Sequence, residues 1–548
     1  MFLKDSTIAA FARNNKAFII LTLLAGITGT ISTIFISLSI GNFYQIIFHD
    51  DGNKTRILSL IGFHTVKSVQ YFFIFYAFLL FIKAGADWLF SYLSKVSATN
   101  LSRGIKNKLF EHQLYTRFDL FSNKSPSRYL LRYSGDLQAI QELYVKGILV
   151  FIKDVALLTI GFYFLFKINI GLSLIFLAAV PVLFFINYLF NIPIRKLIKE
   201  KSDQKSDLLS FVNHCFHAIL SVKALRKEKI EAARFKKKSE KLYHTSVKYF
   251  FHAAFVQTVP AVLFYSVIGI VFLTVATNQV NISHGHLMAF VLVSMLQLSA
   301  LRRVVRVETT WRSGNSALQK INGLLNATTE EGKIDVAILP FVSIKFENLP
   351  LNKTASKESS INTNINQGSI HNISCNNSEQ LIRILMGIES VNKGQVYLND
   401  QPISTFIPVQ LRNLFSFSSD YLPLYGRDLY EMIVRGKRNG MGDEVMKILN
   451  DIGFDLAGKP VFIKTSLERN NIILSIEERK LISLARALLV DNPVLILDRP
   501  FDGVNAETVR ECTRYLKSLL PKKTIIIISN ANELSNRNFE SVASCLNS

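Results

Sequence analysis

Cysteine is scarce: 548 residues contain four, Cys215, Cys375, Cys512 and Cys545. No two form a C-x-x-C pair, so neither a disulfide framework nor a zinc-type ligand set is offered. They read as inert packing thiols. His214, His217 and His252 likewise show no metal spacing. Acidic residues are also in short supply, 41 Asp and Glu against 63 Lys and Arg, for a net charge of +22. No nucleic-acid-reading motif accompanies that excess. The basic residues instead cluster beside apolar runs, as in Arg195-Lys196-Lys199-Lys201 and Lys236-Lys237-Lys238. This is the pattern of the positive-inside rule, which makes a lipid bilayer the partner and excludes nucleic acid. No A-x-A-like site closely follows the first apolar run, which begins near Ala17 and passes Ile40. It is too long for a signal-peptide core and reads as a first spanning helix.

Apolar residues are abundant: 49% of the chain is hydrophobic and 42 residues are Phe. Spanning a bilayer takes about 20 apolar residues in a helix. Runs of that order fall near 17–47, 68–94, 143–166, 169–192, 251–277 and 285–303. Lys167-Ile168-Asn169 reads as a tight turn on the far side, and the turn from Asn278 to His286 carries no Lys or Arg. The stretches 95–142 and 193–249 are long and basic, which places them in the cytoplasm together with the N-terminus (Lys4, Arg13, Lys16). Both keep helical apolar spacing, as in Leu101, Ile105, Leu109 and Leu208, Val212, Phe216. They therefore predict long intracellular hairpins rather than loops. An even number of spans returns the C-terminus to the cytoplasm. Phe-rich runs such as Tyr71 to Phe75 read as lipid-facing or packing residues. Lys83, Asp87 and Trp88 read as interfacial anchors rather than a substrate site.

From about Val342 short β-type runs alternate with helical ones. Strands are predicted at Val342–Phe346, Gln395–Leu398, Val494–Leu497 and Thr524–Ser529. The last two are continuous apolar runs, as in buried parallel strands. Helices are predicted at Gln380–Met386, Asp443–Ile452, Ile476–Leu489 and Ala506–Leu520. The Ser/Thr/Asn-rich tract Asn352–Gln367 reads as a loop.

Several stretches resemble the exporter-type (type IV) ABC half-transporters, and the likeness covers nearly the whole chain. Ser127 to Arg132 with Gly135 to Ile140, and Ala218 to Ala224 with Glu228 and Phe235, are similar to the segments after that family's two coupling helices. The most specific match is Leu474-Ser475-Ile476-Glu477-Glu478, the helix through Ala485-Arg486-Ala487-Leu488, and then Val494-Leu495-Ile496-Leu497-Asp498. This looks like the LSGGQ signature helix followed by the Walker B strand. The implied fold is an α-helical membrane domain with six transmembrane helices and long intracellular hairpins, plus an α/β P-loop-NTPase-like ABC domain. The division falls at 1–330 and 331–548.

The engine residues of that family are mostly replaced. A P-loop needs glycines that let backbone N–H groups approach phosphate, a Lys, and a Ser/Thr hydroxyl for Mg²⁺. The matching stretch holds Cys375, Asn376, Asn377, Ser378, Glu379 and Gln380. Matched back from the following helix, Ser378 falls where the Lys belongs and Glu379 where the hydroxyl belongs. Matched forward from the strand, the loop is about three residues short, and either way there is no Lys and no glycine framework. Lys353 falls where an aromatic would stack on adenine, and Asp420 where the Q-loop Gln would be. Ile476, Glu477 and Glu478 replace Gly-Gly-Gln, Arg499 replaces the glutamate after Walker B, Asn505 the D-loop Asp, and Asn530 the switch His. Ser475 and Asp498 are retained. Asp498 reads first as a strand-end carboxylate capping a turn or pairing with Arg499. Losing Lys, base and His together removes charge stabilisation worth several powers of ten in rate.

The resemblance thus implies one half of an ABC exporter with no catalysis and no ATP or Mg²⁺ at its own site. ATP and Mg²⁺ would sit at a composite site supplied by a partner half, a different chain in preference to a second copy. The alternatives are an ATP-hydrolysing homodimeric exporter with divergent motifs, and a non-transporting membrane scaffold or regulator. The implied location is a bacterial inner (plasma) membrane with both termini cytoplasmic.

Overall fold

The computed structural model describes residues 7–47, 69–122, 129–130, 132–277, 282–330, 334, 340–350, 360–375, 377–389, 396–426, 428–434, 442–454 and 474–529. The chain divides into two compact units. One is Met1–Leu114 with Phe121–Ala327; the other is Tyr115–Leu120 with Thr328–Ser548.

In the first unit a short helix, α1 (Thr7–Asn14), precedes α2 (Lys16–Ile47) and α3 (Val69–Leu114). Then come α4 (Arg132–Ile168), α5 (Ile170–His217), α6 (Ile219–Ala224), α7 (Glu228–Ala276) and α8 (His284–Leu325). Six of them, α2, α3, α4, α5, α7 and α8, contain stretches long and apolar enough to cross a membrane. At ~1.5 Å per residue, the 49-residue α7 runs roughly 70 Å, more than twice the ~30 Å hydrocarbon core. The basic halves of α5 and α7 therefore continue as one hairpin past any bilayer. The tight turn falls where the sequence places it: Asn169 caps α5, its Oδ1 accepting from the Leu172 N–H at 3.1 Å. The interior is apolar, with Ile34, Leu165, Leu172 and Val293 at zero exposure. The Phe-rich run divides as its two readings allow. Phe72 is buried and stacked on Phe43, whereas Phe73 and Ile74 are exposed.

The second unit holds two sheets. Strands β1 (Ser343–Pro350), β2 (Ser360–Asn366), β4 (Val396–Leu398) and β5 (Gln401–Pro402) form an antiparallel sheet in the order β2-β1-β4-β5. Strands β3 (Ile370–Ser374), β6 (Phe415–Ser418), β7 (Val494–Asp498) and β8 (Thr524–Ser529) form a parallel sheet in the order β3-β8-β7-β6. Helices α9 (Ser378–Leu385), α10 (Gly442–Asp451), α11 (Ile476–Leu489) and α12 (Ala506–Ser518) accompany them. Every residue of β7 and β8 is buried, which explains their unbroken apolar sequence. The register sets Ser374 beside Ser529, Asp498 beside Ile528, and Ser418 beside Leu497. These residues share the carboxyl edge of the sheet, where open α/β folds bind ligands.

One expectation is corrected. Part of the tract read as a loop, Ser360–Asn366, is strand β2, paired antiparallel with β1. Ile361 and Ile365 point into the core while Asn362 and Asn364 face out. Only two apolar residues mark the buried face, and Ser, Thr and Asn mask the alternation. Residues 351–359 of that tract, and Lys353 with them, lie outside the described residues. Replacing Ile365 by Ala should cost about 2–4 kcal/mol, whereas Asn364→Ala should stay within about 0.5 kcal/mol. Thermal unfolding of the full chain in detergent, followed by a probe in the second unit, measures the difference.

Candidate functional site

At the carboxyl edge of the parallel sheet, β3 ends at Ser374 and α9 begins at Ser378, so the connection is Cys375, Asn376 and Asn377. Asn376 lies outside the described residues. The Cys375 N–H donates to the Ser529 carbonyl at 2.9 Å, tying the loop to β8. Asn377 caps α9, its Oδ1 accepting from the Gln380 N–H at 3.2 Å. Glu379 stands in the first turn and is ion-paired one turn on with Arg383. Gln380 Nε2 donates to Glu389 at 2.9 Å. The chain's own groups thus occupy the positive end of α9. Arg383 also donates to the Tyr421 hydroxyl at 2.8 Å and lies over the rings of Tyr421 and Phe118. Burial pushes the Cys375 thiol up to about 11, so it is neutral at any physiological pH.

Asp498 is 3% exposed at the end of β7. Ser419 Oγ donates to its Oδ2 at 2.6 Å, and Arg499 Nε lies 3.5 Å from Oδ1. Arg499 itself adopts a left-handed backbone, φ 44°. Asp420 is ion-paired with Lys480 of α11 at 2.7 Å, and the same ammonium donates to the Arg499 carbonyl at 2.8 Å. Lys480 is 5% exposed, so it needs both partners. The structure therefore joins Asp420, Asp498 and Arg499 through Lys480 and Ser419, two residues absent from the candidate set. Lys480 had a signal in the sequence. It shares a helical stripe with Ser483 and Ala487, and a lysine on a buried face calls for a carboxylate.

Ser475 caps α11 in a reciprocal capping box. Its Oγ accepts from the Glu478 N–H at 3.1 Å, and Glu478 Oε2 accepts from the Ser475 N–H at 2.7 Å. Glu477 accepts the Asn505 N–H at 3.1 Å, and Asn505 caps α12. Asn530 lies outside the described residues.

A nucleotide triphosphate with Mg²⁺ would need backbone donors and a Lys at the start of α9. The connection from β3 is three residues long, its helix end is already capped, and the first turn carries a carboxylate. The residues present do not fit that group.

The first unit holds a second polar site. A cavity of about 280 Å³ opens where α2, α3, α4 and α8 meet, lined by Lys83, Asp87, Lys153, Asp154 and Arg303 among others. Asp87 accepts from Lys83 at 2.6 Å and from Lys153 at 2.9 Å. Asp154, 1% exposed, accepts from Arg303 Nε and Nη2 at 2.6–2.9 Å. Lys83 and Asp87 therefore line this cavity. The sequence showed only that they sit inside an apolar run, not which neighbours they meet. Trp88 does face outward, stacked on Tyr92.

Six apolar helices and an α/β unit built on a parallel sheet define a polytopic membrane protein with a nucleotide-binding-type domain. A family described as "ABC transporter transmembrane region" matches residues 19–301, and one described as "ABC transporter" matches residues 360–502. The chain belongs to the ABC transporter family, and it is a multi-pass integral membrane protein of the exporter half-transporter type. It is 23% identical over 474 residues to the ATP-dependent lipid A-core flippase of Nitrosococcus oceani, covering 82% of this chain and 78% of that one. The flippase of the same name from Desulfotalea psychrophila is 23% identical over 471 residues, covering 82% and 81%. Among solved structures, a bacterial Atm1-family ABC exporter with ATP bound superposes with a TM-score of 0.80 at 15% identity, covering 96% of this chain and 92% of that one. That likeness bears out the expected fold class.

A buried, neutral Cys375 should resist alkylation. At pH 8.5 iodoacetamide should modify the buried Cys375 far more slowly than the more accessible Cys215 on α5. Peptide mass spectrometry of the intact, detergent-solubilised chain reads the two rates.

Proposed function

We propose that this chain is one half of an ABC exporter whose own nucleotide site is non-catalytic, and that an active partner half, a different chain, supplies the ATPase activity. The observation that carries the reading is the self-capped, lysine-free start of α9 with Glu379 in its first turn. A carboxylate there competes with phosphate for the same dipole end. The replacement of the Walker B glutamate by Arg499 supports it, since a guanidinium cannot act as a general base. ATP and Mg²⁺ would then lie at a composite site with the partner's own P-loop. Basic hairpins and N-terminus argue for a cytoplasmic second unit, in a bacterial inner membrane. Relatives named as lipid flippases make a membrane amphiphile the favoured cargo.

A second reading, an ATP-hydrolysing homodimer with divergent motifs, is favoured by one observation. Asp498 stays buried at the strand end, and its Oδ1 accepts no hydrogen bond among the described residues.

The chain purified alone into nanodiscs should show no ATPase activity above an empty-nanodisc control. The complex recovered from native membranes should hydrolyse ATP, and lose that activity when the partner's P-loop lysine is replaced. Turnover by the chain alone, abolished by Asp498→Ala, would establish the homodimer instead.

A further inference from the structure

The five ionisable side chains lining the membrane-unit cavity do not cancel. Arg303 and Asp154 close on each other through a bidentate pair and sum to zero. Lys83 and Lys153 share one carboxylate, Asp87, and leave one positive charge over. An unbalanced charge among membrane helices is costly, and the cost falls when a counter-charge binds. Asp87 is placed there by packing. Gly29 of α2 leaves the space, since a Cβ at that position would stand 2.8 Å from Asp87 Oδ1. The carboxylate is therefore pressed between two helices and two ammonium groups, and both it and Lys83 are still just over one-third exposed. The cavity's 280 Å³ suits a polar head of roughly ten non-hydrogen atoms. Apolar Phe90, Val150, Leu157 and Leu296, with the hydroxyl-bearing Thr30, Thr33 and Ser299, complete its wall.

We propose that Asp87 is the specificity-determining residue of this cavity, and that it limits the bound molecule to a head carrying a single negative charge, a phosphodiester or carboxylate monoanion. One such charge brings the cluster to neutrality. A second would face Asp87 without a cation to spare, and a head with no net charge would leave the ammonium excess in place. The inference rests on the exporter reading and names the charge class of its cargo.

The test is binding to the full chain in detergent, without nucleotide or partner. The probes are short-chain phosphatidylglycerol (one negative charge), phosphatidylcholine (none), and phosphatidic acid at pH 8.5, where a phosphomonoester has lost its second proton. Wild type should bind phosphatidylglycerol at least tenfold more tightly than either of the others. Asp87→Asn, which raises the excess to two, should reverse the order of phosphatidylglycerol and phosphatidic acid. Lys83→Met, which brings the sum to zero, should erase the preference for phosphatidylglycerol over phosphatidylcholine, and it decides the matter if the first variant fails to fold. Deacylated glycerophosphoglycerol competing at the same concentration would assign the site to a soluble monoanion. Competition only by the lipid would assign it to a membrane one. Either source satisfies the charge rule. Equal affinity for all three lipids, or lipid ratios unchanged within twofold in both variants, would overturn the proposal and leave the partner-dependent ATPase reading standing. ATPase activity in the isolated chain would overturn that reading and leave this binding pattern standing.

Discussion

The first turn of a helix offers a fixed set of unpaired backbone N–H groups, and whatever accepts them decides what that end of the helix can hold. Around the carboxyl edge of the parallel sheet, this chain supplies one acceptor from within at each of three helix starts. Asn377 closes α9, Ser475 and Glu478 close α11, and Asn505 closes α12. Glu379, Glu477, Glu478 and Glu507 add negative charge in those same first turns. A site built to receive polyanions must leave such ends open. Here the sheet, its register and its edge persist, and at each of these three helix starts one backbone N–H is accepted by a side chain of the chain itself.

Buried charge is compensated within short reach in both units. Lys480 is held by Asp420 and a carbonyl, and Asp498 by Ser419 with Arg499 nearby. Asp154 is clamped by Arg303. Low dielectric makes such pairs necessary, because removing one partner strands the other. The two groups of pairs differ in their arithmetic. The network beneath the sheet edge closes on itself, whereas the five charges lining the membrane-unit cavity end one short of balance.

Much of the fold was legible because the physics behind it is local. A bilayer-length apolar run leaves few alternatives, and β7 and β8 announced themselves as unbroken apolar segments because both of their faces are covered. The helix Ile476–Leu489 was read to the residue, and the structure starts it with a capping box between Ser475 and Glu478. β2 was missed because its polar residues outnumber the isoleucines that pair it to β1. The membrane cavity was missed for a different reason. Its charges come from three helices, with Asp87 and Lys153 separated by 66 positions and Asp154 and Arg303 by 149, and no window of sequence contains such a meeting. That Ser378 and Glu379 stand where the family has its lysine and hydroxyl could be read from residue types alone. The Lys480 link across the edge joins partners that only the fold brings together, Asp420 and the Arg499 carbonyl.

The second compact unit is not one continuous piece of chain. Tyr115–Leu120 belongs to it: Thr116 bridges Thr329, the Glu330 N–H donates to the Tyr115 carbonyl, and Phe118 lies under the Arg383 guanidinium. A graft of this unit onto another membrane scaffold, cut only near position 328, would leave behind six residues from more than two hundred positions upstream. The transplant would carry a bare Arg383 face and an unmatched backbone edge into its new host, so the unit of exchange is a pair of segments and not a single stretch.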